Sequence, residues 1–282
     1  MKMRLVAFLL SLLALVAQPA AAASSLSLQS LEQQLRTMIA GKSADVGIAA
    51  LDLTTGESIS VKGNVAFPMA STVKVAVAAL YLAQVDHGRR SLDDTIDGVP
   101  VRWLMNRMLI NSENRATDIL LRDLGGPRAL DKWLSDNDVR GLRVDRTIAQ
   151  LLAAKRDLWD RRDSSTPLAM VELLRKIYRA ELITPQSRNY LLGVMARCKT
   201  GKNRMKALLP SGTPVEHKTG TLNGYTSDIG FVSLPDGKRI AVAIFARGGA
   251  NRPRTIAESA RVIYDGFRAA WAWPFRPAVS AQ

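Results

Sequence analysis

The sequence predicts an α/β protein of the α+β kind: one antiparallel five-stranded sheet, flanked by terminal helices, with an all-helical lobe inserted. Three observations predict it. Strand signals lie at both ends of the chain, at 45–53, 58–61, 215–219, 226–234 and 239–246. Helical apolar spacing fills the middle. No repeat or low-complexity linker divides the chain. A length of 282 residues permits one large domain or two lobes sharing a core, and 47% hydrophobic with 23% charged residues is a globular composition.

At the N-terminus Lys2 and Arg4 precede an apolar run over 5–16, and Ala21-Ala22-Ala23 offers a small-residue cleavage site. This short run reads as a secretory signal over 1–23 and not as a membrane span. No cysteine follows it, which excludes a lipid anchor on a cysteine there. The expectation is a periplasmic or secreted domain over 24–282 with no stable membrane span. Its sheet lobe is expected at 24–66 and 212–282, and its helical lobe at 67–211. Losing Lys2 and Arg4 lowers the net charge from +14 to +12. In that compartment nucleic acid is not the expected partner. An anionic cell-wall polymer or acidic lipid is the natural counterpart, and generic solubility explains the dispersed charge equally well.

The segment 31–39 has helical spacing. Strands at 45–53 and 58–61, joined by Thr54-Thr55-Gly56, read as a hairpin. After Pro68 comes Ala70-Ser71-Thr72-Val73-Lys74, then an apolar run over 75–80. Its alanines and its length favour a helix over a strand, and its apolar character all round favours burial. Ser71 is expected to open this helix as a cap or first-turn residue, with the helix running to about residue 86. Helices follow at 101–109, 116–124 and 128–135, the last two punctuated by Gly125-Gly126-Pro127. The stretch 144–165 is charged and irregular at its end. Helices resume at 168–180 and 186–196. Pro235-Asp236-Gly237-Lys238 turns between the last two strands, and a helix at 256–271 closes the fold.

The chemistry is organised around Ser71 and Lys74. Three positions apart, both lie on one face of a helix. A lysine at the mouth of a buried helix is desolvated, which lowers its pKa and suits it to act as a base. A base beside a hydroxyl makes a serine nucleophilic. An S-x-x-K pair alone arises by chance, so its partners decide. Asn111-Ser112-Glu113-Asn114 sits between two helices, where Ser112 can relay a proton to a leaving nitrogen and Asn114 can bind a substrate amide. Ordinary helix capping would use the same residues. Lys-Thr-Gly occurs twice, at Lys199-Thr200-Gly201 and Lys218-Thr219-Gly220. Only the second is flanked by strand patterning, where backbone N–H groups can form part of an oxyanion hole and bind an extended peptide. The first reads as a loop. Cys198 is the only cysteine, so no intramolecular disulfide forms. With His87 and His217 the only histidines, a zinc site and a Ser-His-Asp triad are both poorly served.

Ser71-x-x-Lys74, Ser112-Glu113-Asn114 and Lys218-Thr219-Gly220, in this order and separation, resemble the penicillin-recognising serine enzymes, and most closely class A β-lactamases. Leu124-Gly125-Gly126-Pro127, Asp145-Arg146-Thr147 and Asp163 with Thr166-Pro167 support the resemblance, which spans nearly all of 24–282. It implies that Ser71 is the acylated nucleophile and Lys74 its base or relay. Ser112 and Lys218 complete the relay. The backbone N–H groups of Ser71 and Thr221 form the oxyanion hole, while Asn114, Thr219, Thr221 and Arg204 bind substrate. No metal or cofactor is implied.

Three departures stand out. Glu113 replaces the usual Asp. The stretch from Ser71 to Ser112 is short. Asp145-Arg146-Thr147 is followed by Ile148-Ala149-Gln150, where the family carries the glutamate that activates the deacylating water, and no Glu occurs between Asn114 and Met170. Asp157 and Asp160 are the substitutes in reach along the chain. Two classes of function follow. One is an acyl-serine enzyme acting on β-lactams, with slow deacylation, or on D-alanyl-D-alanine peptides of the cell wall. The other is a non-catalytic sensor of β-lactams or wall fragments.

Overall fold

The computed structural model describes residues 27–155 and 157–272. The expected signal at 1–23 and the tail beyond 272 lie outside the described residues. In chain order, helix α1 (27–40) leads into strands β1 (Asp45–Asp52) and β2 (Ser58–Val61). Seven helices follow: α2 (Lys74–Asp86), α3 (Val101–Ile110), α4 (Asn114–Asp123), α5 (Gly126–Asp136), α6 (Ile148–Ala153), α7 (Pro167–Tyr178) and α8 (Pro185–Ala196). Strands β3 (Val215–Leu222), β4 (Tyr225–Ser233) and β5 (Arg239–Arg247) precede the closing helix α9 (Arg252–Ala272).

The sheet is antiparallel throughout, in the order β2-β1-β5-β4-β3. The N-terminal hairpin therefore joins the C-terminal meander through β1 and β5, in the register Asp45↔Arg247 to Asp52↔Ile240. Both strands are buried on both faces, so each reads as a nearly continuous apolar run. One face carries Ile48, Val242 and Ile244 into a core with Leu31, Leu35, Ile256, Ile263 and Phe267 of α1 and α9. The other face carries Ala49, Phe231, Ala243 and Phe245 into a larger core with α2, α3, α4, α7 and α8. Strand β3 lies at an edge, which leaves alternate backbone groups free of ladder partners beside the helical lobe.

One local expectation is corrected. The helix does not begin at Ser71. Residues Ala70–Val73 form a 3₁₀ turn, α2 starts at Lys74, and Ser71 makes no capping bond. Ala70 sits at φ 49°, outside the helical region, and the turn is held by Thr72, whose N–H and Oγ1 both donate to Met69 O. The charged stretch 144–165 holds a short helix ahead of its irregular end. This is α6, capped by Thr147: its side chain accepts from Gln150 N while Gln150 Oε1 accepts from Thr147 N.

Candidate active site

The site lies where three elements meet: the turn before α2, the α3–α4 connection and the edge strand β3. Ten consecutive residues of α2, from Lys74 to Ala83, are buried, so the helix is fixed in position by packing on all sides. That burial carries Lys74, 0% exposed, into the interior beside polar groups. Its Nζ donates to Ser112 O at 2.7 Å, to Asn114 Oδ1 at 2.8 Å and to Ser112 Oγ at 3.4 Å. On the far side of Ser112, Lys218 Nζ donates to Ser112 Oγ at 2.8 Å and to Thr219 O at 2.8 Å. Ser112 thus bridges two buried lysines. It does so from φ 60°, a left-handed conformation that costs of order 1–3 kcal/mol in a residue with a Cβ and is held here by these contacts.

Two like charges cannot both be comfortable in such a pocket. Burial, followed by the charge of Lys218, lowers Lys74 to about 7. Burial, with a smaller contribution from Arg204, lowers Lys218 to about 8 against the opposing pull of Cys198 and Asp228. The arrangement can hold one lysine neutral and one charged near neutral pH, with a hydroxyl between them able to pass a proton.

Ser71 is half-buried on the 3₁₀ turn, where its carbonyl accepts from Lys74 N–H. Strand β3 closes on this turn at Gly220. A Cβ at that position would stand 2.8 Å from Met69 O and 3.2 Å from Ala70 Cβ, and would also strike Ser227 Oγ. Only glycine permits the approach, which brings the strand edge at Thr221 up to the Ser71 turn. Arg204 supports the same edge. Its Nη1 donates to Gly220 O and Ser227 O, each at 3.0 Å, and its Nη2 donates to Thr221 Oγ1 at 2.7 Å. The structure therefore brings Lys74, Ser112, Asn114, Lys218 and Thr219 into one hydrogen-bonded cluster, with Arg204 on Thr221 beside it. Lys199 lies outside it. That residue is exposed, on a loop whose N–H donates to Ile110 O, whereas the neighbouring Thr200 turns inward onto Thr219 Oγ1 at 2.5 Å.

The loop from Asp145 to Asp163 closes on itself. Asp163 Oδ1 accepts from Asp145 N and Arg146 N at 2.8 and 2.9 Å, and its Oδ2 pairs with Arg146 Nε at 2.5 Å. Asp163 O in turn accepts from Met69 N, tying the loop exit to the Ser71 turn. Helix α6 is anchored by Asp118, whose carboxylate accepts from Ile148 N and Ala149 N at 2.7 and 2.9 Å. Ile148 is the first residue of that helix and is buried in the main core. Asp160 is committed to Arg162 and Arg146 and held at about 2, chiefly by its hydrogen bond to Arg162. Asp157 is exposed and accepts from Trp159 N. Sequence reasoning missed Asp118, because a lone aspartate on a helix carries no local signal. It also missed α6, although Thr147-x-x-Gln150 is a capping-box pattern.

Comparisons with known proteins bear on the family and the fold. The family model described as the beta-lactamase enzyme family matches residues 30–267. The extended-spectrum β-lactamase PER-1 of Pseudomonas aeruginosa is 30% identical, covering 83% of this chain and 86% of that protein. A β-lactamase of Bacteroides uniformis is 27% identical over 93% of this chain and 99% of its own length. Among solved structures, a variant of the class A β-lactamase of the last common ancestor of Gram-negative bacteria superposes with TM-score 0.79 at 32% identity. It covers 85% of this chain and 99% of that one. The TLA-1 extended-spectrum β-lactamase superposes with TM-score 0.80 at 28% identity, covering 86% and 99%.

Proposed function

Because the chain belongs to the class A β-lactamase family and is a serine hydrolase, we propose that it opens β-lactams by acylating Ser71 and releases the product slowly. In this reading Ser71 Oγ attacks the lactam carbonyl carbon and Lys74 Nζ takes its proton. The N–H groups of Ser71 and Thr221 receive the developing oxyanion. The carbon–nitrogen bond then breaks, and the leaving nitrogen takes a proton from Ser112 Oγ, which is replenished from Lys74 while Lys218 stabilises the charge. Asn114 binds the substrate's side-chain amide. Thr219, Thr221 and Arg204 hold its carboxylate.

The single observation that carries the slow step is the setting of Lys74. Its hydrogen-bond acceptors are a carbonyl, an amide and a hydroxyl, with no carboxylate, and the buried first residue of α6 is an isoleucine. A base for the deacylating water is therefore missing where the family supplies one. General-base assistance is worth about 10²–10⁴ in rate. Stopped-flow absorbance with intact-protein mass after mixing with a penicillin tests this. The expected result is a burst of one equivalent, one adduct per chain, and slow loss of the adduct. Rapid multiple turnover without an adduct overturns the slow step, and neither adduct nor hydrolysis overturns the enzymatic reading.

The same lack of a carboxylate favours a second substrate class, D-alanyl-D-alanine peptides of the cell wall, and release of D-alanine from such a peptide tests it. The Lys2-Arg4 start and apolar run support export to the periplasm or medium, where the basic chain would meet anionic wall polymer. N-terminal sequencing of the exported protein at Ser24 checks the cleavage.

A further inference from the structure

Behind the edge strand lies a second cluster that the acylation scheme does not use. Alternation along β3 places Lys218 and Gly220 on one side and His217 and Thr219 on the other. His217 is 0% exposed, and its Nδ1 lies 2.8 and 3.1 Å from the two carboxylate oxygens of Asp228, which is equally buried. Its other nitrogen, Nε2, is buried without a hydrogen bond among the described residues, on the side of β3 that Cys198 approaches through Thr200 and Thr219. That sulfur is half-buried on the loop after α8, 3.3 Å from Thr200 Oγ1. Thr200 Oγ1 is in turn 2.5 Å from Thr219 Oγ1, and a Cβ on the adjoining Gly201 would stand 2.5 Å from Thr219 Cγ2. A thiol, an imidazole and a carboxylate thus gather on one side of β3, and the thiol is two contacts from the proposed carboxylate-binding edge.

We propose that Cys198 is a thiol-modification site for small-molecule disulfides, activated by His217 and Asp228, whose occupancy loosens the Thr219 edge. The second half rests on the acylation reading above; the first does not. The charges felt at the sulfur are those of His217 on its own side of β3 and of Lys218 across the strand, Arg204 and the sulfur act on each other, and Asp228 holds the far side of the His217 ring. Burial alone pushes the thiol up, but the neighbouring His217, with smaller help from Thr200 and Lys218, brings it to about 7. Burial works against the imidazolium too, and the Asp228 carboxylate overcomes it, raising His217 to about 9. Between those values the pair is a thiolate and an imidazolium. The thiolate attacks one sulfur of a disulfide R–S–S–R. A new Cys198–S–S–R bond forms, the old sulfur–sulfur bond breaks, and RS⁻ leaves with the electron pair, while His217 keeps its proton. Cys198 is oxidised and half of the reagent is reduced. A group added to the sulfur replaces its contact with Thr200, the residue that holds Thr219.

The test uses the intact chain and 5,5′-dithiobis(2-nitrobenzoate), an aromatic disulfide whose released thiolate is read by absorbance. One equivalent is expected per folded chain, with a rate that rises with pH about a midpoint near 7. His217→Gln should move that midpoint up towards the ordinary thiol value, and Cys198→Ser should release nothing while acylating at the unmodified rate. Capped protein should be acylated by a penicillin on the order of tenfold more slowly, since small displacements at a reacting site are costly, and dithiothreitol should restore the rate. A midpoint at the free-thiol value of about 8.5, no release from the folded protein, or capped protein that acylates at the unmodified rate each overturns the proposal. If the unmodified protein is not acylated at all, the acylation reading fails, and the thiol titration still decides the site.

Discussion

Lys74 carries the sharpest consequence at the scale of single residues. In the proposed acylation its neutral form is the base, and its pKa stands at about 7. In the same proposal Lys218 stabilises charge as a cation, and it stands at about 8. Acylation should therefore rise with pH through about 7 and fall above about 8, a narrow bell in the single-turnover rate with a penicillin. A flat profile from pH 6 to 9 would show that neither lysine titrates in the step. Stability runs with a definite sign as well. Below about 7 the lysine is charged in both states and its burial counts fully against the fold. Between 7 and the ordinary 10.5 the unfolded chain binds more protons, so this group's contribution to stability rises with pH there. Two substitutions locate the chemistry. Ser71→Ala should abolish the covalent adduct and leave the circular dichroism spectrum unchanged. Lys218→Ala should slow acylation by about 10²-fold or more, while Lys199→Ala, on an exposed loop residue, should leave it nearly unchanged; equal losses would reverse the choice between the two triplets. That choice was legible in the sequence because only Lys218 has strand patterning around it. The Cys198–His217–Asp228 line was not legible. Those residues are 19 and 11 positions apart at the gaps that matter, and the strand pairing of β3 with β4 and the packing of a loop bring them together.

At the scale of elements, α6 decides how the loop from Asp145 to Asp163 behaves. Its first two N–H groups are satisfied by Asp118, and its cap by Thr147 and Gln150. Hydrogen bonds to a charged group are worth about 1.5–3 kcal/mol each. Asp118→Ala should thus free the helix locally: amide exchange over 147–153 should speed markedly, with β4 and β5 unchanged. Unchanged exchange over 147–153 would show that core packing of Ile148 alone holds α6. Ile148→Glu places a carboxylate on the first turn, where a helix N-terminus favours it, and should shorten the life of the penicillin adduct. The strands and the long helices were legible because their apolar periods are strong and their ends carry Pro, Gly or Thr. The 3₁₀ turn at Ala70–Val73 was not, since it follows from the packing of β3 at Gly220 and the bond from Met69 to Asp163 rather than from local propensity.

At the scale of the whole molecule, the two lobes share one interior. The larger core runs without a break from Ala49, Ala243 and Phe245 of the sheet to Leu104, Leu120 and Leu173 of the helices. Other ties cross the same boundary. Arg179 donates to Leu53 O, and Arg247 pairs with Asp45 while stacking on Phe67 and Trp159. Separating the lobes would expose an apolar face of each, and each buried aliphatic or aromatic side chain contributes about 1.5–3 kcal/mol by its burial. The candidate site depends on this continuity, because Lys74 comes from one lobe, Lys218 from the other, and Ser112 joins them. We therefore expect the chain to unfold as one unit. In urea, with Trp271 and Trp273 replaced by Phe, tryptophan fluorescence reports on Trp103, Trp133 and Trp159 of the helical lobe, and amide exchange of β5 reports on the sheet. The two transitions should coincide, with one midpoint and one slope. A helical-lobe transition at clearly lower urea than that of β5 would mean that the lobes fold separately. The lysine pair would then be assembled by docking after each lobe has formed, and loss of acylation should track the earlier transition.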